Sequence, residues 1–249
     1  MNDERALHDA PLHDTGLHDT GQRGALLHGA GLDATRAVLG KDLRLLWRRR
    51  ASWLAAATFA TLSVLTYAFA FDLVTDDVRP LLPGVLWVTF LFAGVVALGR
   101  AFADEAEQGT LDALLLAPVP RTTLYVGKLV AYFCALLAID VAMLALATVL
   151  FNVGLLTPEL LLLTTLGAAG YVSLTLLLAT LGSRVRSREV LLPVLALPLL
   201  MPLLIGGVRA TGAALDLPHG DAPWLLLLVV FTAWSAAGSA LLFPLAVER

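Results

Sequence analysis

The sequence predicts an all-α, polytopic membrane protein, a bundle of six transmembrane helices. Three observations predict it. Hydrophobic residues make up 58% of the chain and charged residues only 15%. A soluble core of this size could not hide so much apolar surface, so the excess faces lipid. Six apolar runs have about the 20 residues a helix needs to cross the hydrocarbon. Finally, the basic residues collect at alternate ends of those runs, as a fixed orientation requires.

Residues 1–35 form a polar tail in which Leu7-His8-Asp9, Leu12-His13-Asp14 and Leu17-His18-Asp19 open an imperfect five-residue repeat. Four of the five histidines lie here. Five-residue spacing scatters them around a helix instead of stacking them on one face, so a disordered extension without metal is expected. The tail has no apolar stretch of secretory length, and no cleaved leader is expected. Residues 36–50 follow as a basic amphipathic helix. Val38, Leu39, Leu43, Leu45, Leu46 and Trp47 alternate there with Arg36, Lys41, Arg44 and Arg48 to Arg50. This pattern describes an elbow lying in the inner headgroup layer; the plainer alternative is a cationic run that only fixes orientation.

The six-span domain occupies residues 51–249, with spans at about 51–71, 81–99, 123–150, 160–182, 190–208 and 223–247. Period-two alternation is missing from these runs, which excludes a closed β-barrel. With the N-terminus inside, the inner segments hold Lys41, Arg44, Arg48, Arg49, Arg50, Arg100, Arg121, Lys128, Arg184, Arg186, Arg188 and Arg249. The outer loops then hold only Arg79 and Arg209 as cations, together with Asp72, Asp76, Asp77, Asp216 and Asp221. Both termini are therefore expected in the cytoplasm. Cys134, the single cysteine, lies inside the third run and reads as an inert thiol.

The loop between spans two and three carries the most information. An acidic turn containing Asp104, Glu105 and Glu107 precedes Gly109. Thr110 can cap a short helix, and Asp112 suits its N-terminal dipole. Leu111, Leu114 and Leu115 form an i, i+3, i+4 apolar ridge, and Pro118 and Pro120 end the helix before Arg121. A capped, ridged helix in the cytoplasm is suited to dock a partner and pass its movement to two spans. The alternative is an amphipathic helix resting on the lipid surface.

Two features inside the membrane stand out. Pro193, Pro198 and Pro202 lie on nearly one face of the fifth span, which should be bent or locally broken, as a hinge or as a static kink. Asp140 is the carboxylate deep within a span. Its burial at the helix centre costs about 3 kcal/mol, so it should face protein or water. A hydrogen bond to a hydroxyl such as that of Tyr171, or a part in handling substrate, would account for it. Lys128 is close enough to the end of the third span to snorkel inward.

Several chemistries are excluded. No G-x-x-x-x-G-K-[ST] motif is present, so ATP hydrolysis is expected only in a separate chain. No second buried carboxylate accompanies Asp140 and no span carries a histidine, so an enzyme is not expected. The only histidine outside the tail is His219, so haem ligation, like any resident cofactor or metal, is not expected. Nothing points to nucleic acid.

The run Glu107-Gln108-Gly109-Thr110-Leu111-Asp112, continuing through Leu114, Leu115, Pro118 and Arg121 to Gly127-Lys128, resembles the coupling segment of exporter-type, ABC-2-like permeases. Leu82-Pro83-Gly84-Val85-Leu86-Trp87-Val88, with Leu98-Gly99-Arg100, resembles the second span of the CcmB family, haem exporter protein B of cytochrome c maturation. Ser187 to Pro193, running on to Pro198 and Pro202, is similar to that family's fifth span. The resemblance covers roughly residues 37–247; the histidine-rich tail departs from it. It implies an ATPase partner (CcmA-like) docked on Glu105 to Pro118, with a CcmC-like membrane subunit and a CcmE-like haem chaperone nearby. ATP would act through the partner, haem would be cargo of the complex, and a permease homodimer is one expected arrangement. The tryptophan-rich haem-handling motif of the family's partner subunit is missing. Two alternatives remain: an exporter-type permease for another lipid-like or small hydrophobic cargo, and a secondary transporter working without ATP. The latter predicts buried charge pairs or half-repeats, of which the sequence offers one isolated aspartate.

Overall fold

The computed structural model describes residues 50–72, 77–107, 121–182, 196–218 and 223–247. The expected tail at 1–35 and nearly all of the elbow helix at 36–50 lie outside the described residues. The helices are α1 (Arg50–Asp72), α2 (Leu82–Glu107), α3 (Arg121–Phe151), α4 (Pro158–Gly182), α5 (Met201–Ala214) and α6 (Trp224–Val247). No strand occurs among the described residues. Five of these helices, all but α5, are long and apolar enough to cross a membrane.

Local chemistry sets several boundaries. Thr157 caps α4 by accepting a hydrogen bond from the Leu160 amide (3.2 Å). Pro158 and Glu159 follow at the first helical positions, where a missing N–H costs nothing and an acid suits the dipole. α3 ends as Asn152 turns left-handed (φ 52°), a conformation that asparagine tolerates. α5 ends in a Schellman motif, with Asp216 at φ 56°, its amide bonded to Ala213 O (3.1 Å) and the Leu217 amide to Gly212 O (2.9 Å).

The helices alternate in direction. At one end of the bundle Phe71 meets Phe151 (6.3 Å between rings). At the other, Trp53 meets Tyr132 (6.5 Å), and Tyr125 of α3 hydrogen-bonds Ser239 of α6. α2 and α4 form the centre, with 67% and 72% of their spans buried, against 17–28% for α1, α3 and α6. The exposed faces of the outer helices are apolar: Leu54, Leu62 and Phe69 on α1, and Leu226, Val230, Trp234 and Leu241 on α6. That is the excess apolar surface evident in the composition, turned towards lipid.

The fifth segment departs from the expected span at 190–208. Residues 196–199 are helical, Leu200 is a turn, and α5 then runs from Met201 to Ala214, past the expected end at Val208. Its 14 residues are too few to span the hydrocarbon alone. Pro202 has no amide to bond the Pro198 carbonyl, whereas the Leu200 and Leu204 amides bond Ala196 O and Leu200 O (both 2.9 Å). Arg209 does not end the helix, because its guanidinium lies over the Trp224 ring (5.7 Å) and stays exposed. α2 also differs from its expected span. It continues unbroken through Arg100 to Glu107, so the acidic residues expected in a turn lie on a helix.

Candidate functional site

The tightest packing in the bundle centres on Trp87 of α2, which is 3% exposed. Its indole fits between two glycines. A Cβ on Gly167 of α4 would sit 2.5 Å from the ring, and one on Gly207 of α5 would sit 2.3 Å from it. Trp87 Nε1–H donates to Thr211 Oγ1 of α5 at 2.8 Å, which satisfies the one polar group of a buried indole. Tyr171 of α4 fills the complementary space on α2, where a Cβ on Gly94 would approach its ring to 2.7 Å. α2 and α4 thus exchange large residues for glycines, and Trp87 adds α5 to the joint. Close helix approach through small residues is how membrane bundles gain packing energy without a hydrophobic drive between helices.

A small cavity with a carboxylate in its wall lies beside this joint. Asp140 of α3, Thr164 and Tyr171 of α4, Trp87 and Phe90 of α2, and Leu203 of α5 line it. Asp140 is 3% exposed, and its Oδ1 has no hydrogen-bond partner among the described residues. Thr164, 3% exposed, donates its own hydroxyl proton to Leu160 O (2.7 Å). The cavity admits the centre of a water-sized sphere over only about 10 Å³. Small-molecule sites occupy about 300–1,000 Å³, so this one cannot enclose a cargo. A larger opening of about 430 Å³ is lined by apolar residues of α2 and of the broken fifth segment, including Phe92, Pro198 and Met201.

A second polar group lies nearer the other end of α3. Tyr125 makes side-chain hydrogen bonds to Ser239 of α6 and Ser173 of α4. Lys128 is 5% exposed and has its amine 5.9 Å from the Tyr132 ring centre. Thr232 of α6 donates to Leu166 O of α4 (3.0 Å), tying the same pair of helices higher up.

The sequence-predicted residues fall as follows. Asp140 faces protein, in the cavity that Tyr171 also lines, yet among the described residues its Oδ1 has no hydrogen-bond partner. Glu105 and Glu107 are on the last turns of α2. Gly109, Thr110, Leu111, Asp112, Leu114, Leu115 and Pro118 lie outside the described residues, as does Pro193. Pro198 and Pro202 flank the Leu200 turn, and both are exposed. Sequence reasoning did not single out Trp87 as a site residue, nor Thr164, Gly167, Gly207 or Thr211. A lone tryptophan with an N–H to satisfy, inside a glycine-bearing apolar bundle, is the signal that could have found the joint.

These helices define a polytopic membrane permease with a small-residue joint at its centre. The sequence model of the CcmB protein family matches residues 33–249. Heme exporter protein B of Rhodobacter capsulatus is 32% identical over 200 residues, covering 74% of this chain and 87% of its own length. Heme exporter protein B of Pseudomonas aeruginosa is 30% identical over 194 residues, covering 77% and 87%. That of Bradyrhizobium diazoefficiens is 28% identical over 199 residues, covering 79% and 89%. The chain belongs to the CcmB family.

Proposed function

We propose that this chain is the transmembrane subunit of an ABC-type complex for cytochrome c biogenesis, acting in haem export or in ATP-driven release of a haem-loaded chaperone. The observation that carries this reading is the family match from residue 33 to the C-terminus, joined to relatives named heme exporter protein B over most of their length. A CcmA-like ATPase supplies the energy, with a CcmC-like membrane subunit and a CcmE-like chaperone as further partners. ATP binds the ATPase, haem is the cargo, and two copies of the permease can pair. The chain resides in the cytoplasmic membrane with both termini inside, a reading supported by Arg50, Arg100 and Arg121 at one end of the helices and Asp72, Asp77 and Asp216 at the other.

The helix ends support coupling through residues 105–118. α2 stays helical to Glu107 and α3 starts at Arg121, so the segment between them is anchored on two long rigid elements. Asp104, Glu105 and Glu107 lie on the last described turns of α2, and an acidic cluster there would suit a cationic partner surface. ATP-driven closure of the ATPase pair would push this segment and move α2 and α3 together. The test is co-purification from native membranes. Leu111→Asp with Leu114→Asp should abolish recovery of the ATPase while the chain still inserts; undiminished recovery would overturn docking at this ridge.

A further inference from the structure

Asp140 is the one carboxylate lining the cavity between α2, α3, α4 and α5. No cationic side chain faces it there, and its Oδ1 has no partner among the described residues. A buried acceptor left unpaired is among the costlier defects in a membrane interior, so the site calls for a donor. The space beside it, about 10 Å³ for the centre of a water-sized sphere, is close to what one water requires and too small for two.

The lining chemistry narrows the occupant. Thr164 also lines the cavity, and its hydroxyl proton is committed to Leu160 O, which leaves its Oγ1 able only to accept. Tyr171, on the same helix, lines the cavity as well and carries a hydroxyl. A water molecule has two protons for the two acceptors and a lone pair for a tyrosine hydroxyl, which gives the three or so bonds usual for internal water. Hard metal cations take about six or more oxygens, and the side chains here offer too few. The remaining lining residues, among them Gly167 and Ala168, carry no side-chain oxygen.

We propose that Asp140 and Thr164 bind a single water molecule inside the bundle, a hydrated polar link between α3 and α4 beside the Trp87 joint. The inference does not depend on cargo or ATPase. It gives α3, which follows the segment between α2 and α3, an exchangeable contact to the central helices beside its packing through Leu136, Met143, Leu144 and Ala147.

Two measurements test it on the full chain in lipid nanodiscs or in its complex. A density map at about 2 Å should show one peak within hydrogen-bond distance, about 2.6–3.2 Å, of both Asp140 Oδ1 and Thr164 Oγ1. No peak there overturns the proposal, and so does a strong anomalous peak after preparation in a thallium salt, which would mark a cation. A double-mutant cycle of Asp140→Leu and Thr164→Val, read by detergent unfolding, should be non-additive by about 3-fold to 10-fold in the unfolding constant. Additivity within 2-fold overturns it. If Asp140→Leu cannot be recovered folded, Asp140→Asn keeps an accepting oxygen and should keep the peak; loss of the peak in that variant also overturns the proposal.

Discussion

Replacing Gly207 with alanine adds one methyl group at the most crowded point of the bundle. The new Cβ would lie 2.3 Å from Trp87 Cε2 and 2.4 Å from two more ring atoms, well inside van der Waals contact. The indole cannot retreat, because the space behind it is closed by Gly167, whose own Cβ would come within 2.5 Å of the opposite edge. Nor can it tilt freely without breaking the 2.8 Å bond from Nε1 to Thr211. Overpacking of this kind costs about 1–3 kcal/mol. A hydrogen bond between membrane helices adds about 0.6 kcal/mol. Gly207→Ala should therefore destabilise the protein by about 1.6–3.6 kcal/mol, a shift of about 15-fold to 450-fold in the unfolding constant. The assay is reversible detergent unfolding of purified chain, followed by tryptophan fluorescence and far-ultraviolet dichroism. Gly212→Ala on the same helix is the control, because nothing lies within 4 Å of its would-be Cβ. It should be neutral or slightly stabilising, since alanine suits a helix better than glycine. Trp87→Leu should cost stability alone and yet remove most of the penalty of Gly207→Ala in the double variant. Equal stability of Gly207→Ala and Gly212→Ala would refute the interlock.

Three further predictions follow from other contacts. Gly94→Ala places a methyl 2.7 Å from the Tyr171 ring and should cost about 1–3 kcal/mol by the same unfolding assay, an effect that Tyr171→Ala should largely suppress. Ser239→Ala removes the partner of Tyr125 on the neighbouring helix and should lower stability by about 0.6–1.7 kcal/mol, measured as a shift in the unfolding midpoint. Asp77→Cys puts a thiol on an exposed residue before α2, and a membrane-impermeant maleimide should label it in intact cells if both termini are cytoplasmic. Labelling only after the cells are opened would reverse the orientation.

What the sequence revealed follows the range of each physical signal. Hydropathy acts over about 20 residues, and α1, α3, α4 and α6 begin and end within two residues of the apolar runs at 51–71, 123–150, 160–182 and 223–247. The signal failed at charges. Arg100 suggested an end to the second span, yet a helix can continue into water, and α2 adds Ala101 to Glu107. Arg209 suggested an end to the fifth, yet its stacking on Trp224 lets the helix proceed to Ala214. That partner lies 15 residues away across a loop, out of reach of any local pattern.

The site was legible only in its chemistry. Asp140 stood out because a carboxylate is costly in hydrocarbon, and the same reasoning required it to face protein or water. Its neighbours come from other helices: Trp87 from α2, Thr164 and Tyr171 from α4, Leu203 from α5. Which glycine receives which ring depends on helix crossing and register, and neither is encoded in the spacing of one segment. The glycines at 94, 167 and 207 are ordinary residues in sequence and become specific only against the rings they admit.

The proposed place of this chain, as the membrane part of a partner-driven machine in cytochrome c biogenesis, is tested by deleting its gene and staining membranes for covalently bound haem. In the deletion strain c-type cytochromes should disappear and b-type haem proteins persist, and the wild-type gene should restore the former while the Leu111→Asp, Leu114→Asp variant does not. Normal c-type cytochromes in the deletion strain would contradict it and assign the permease to another cargo.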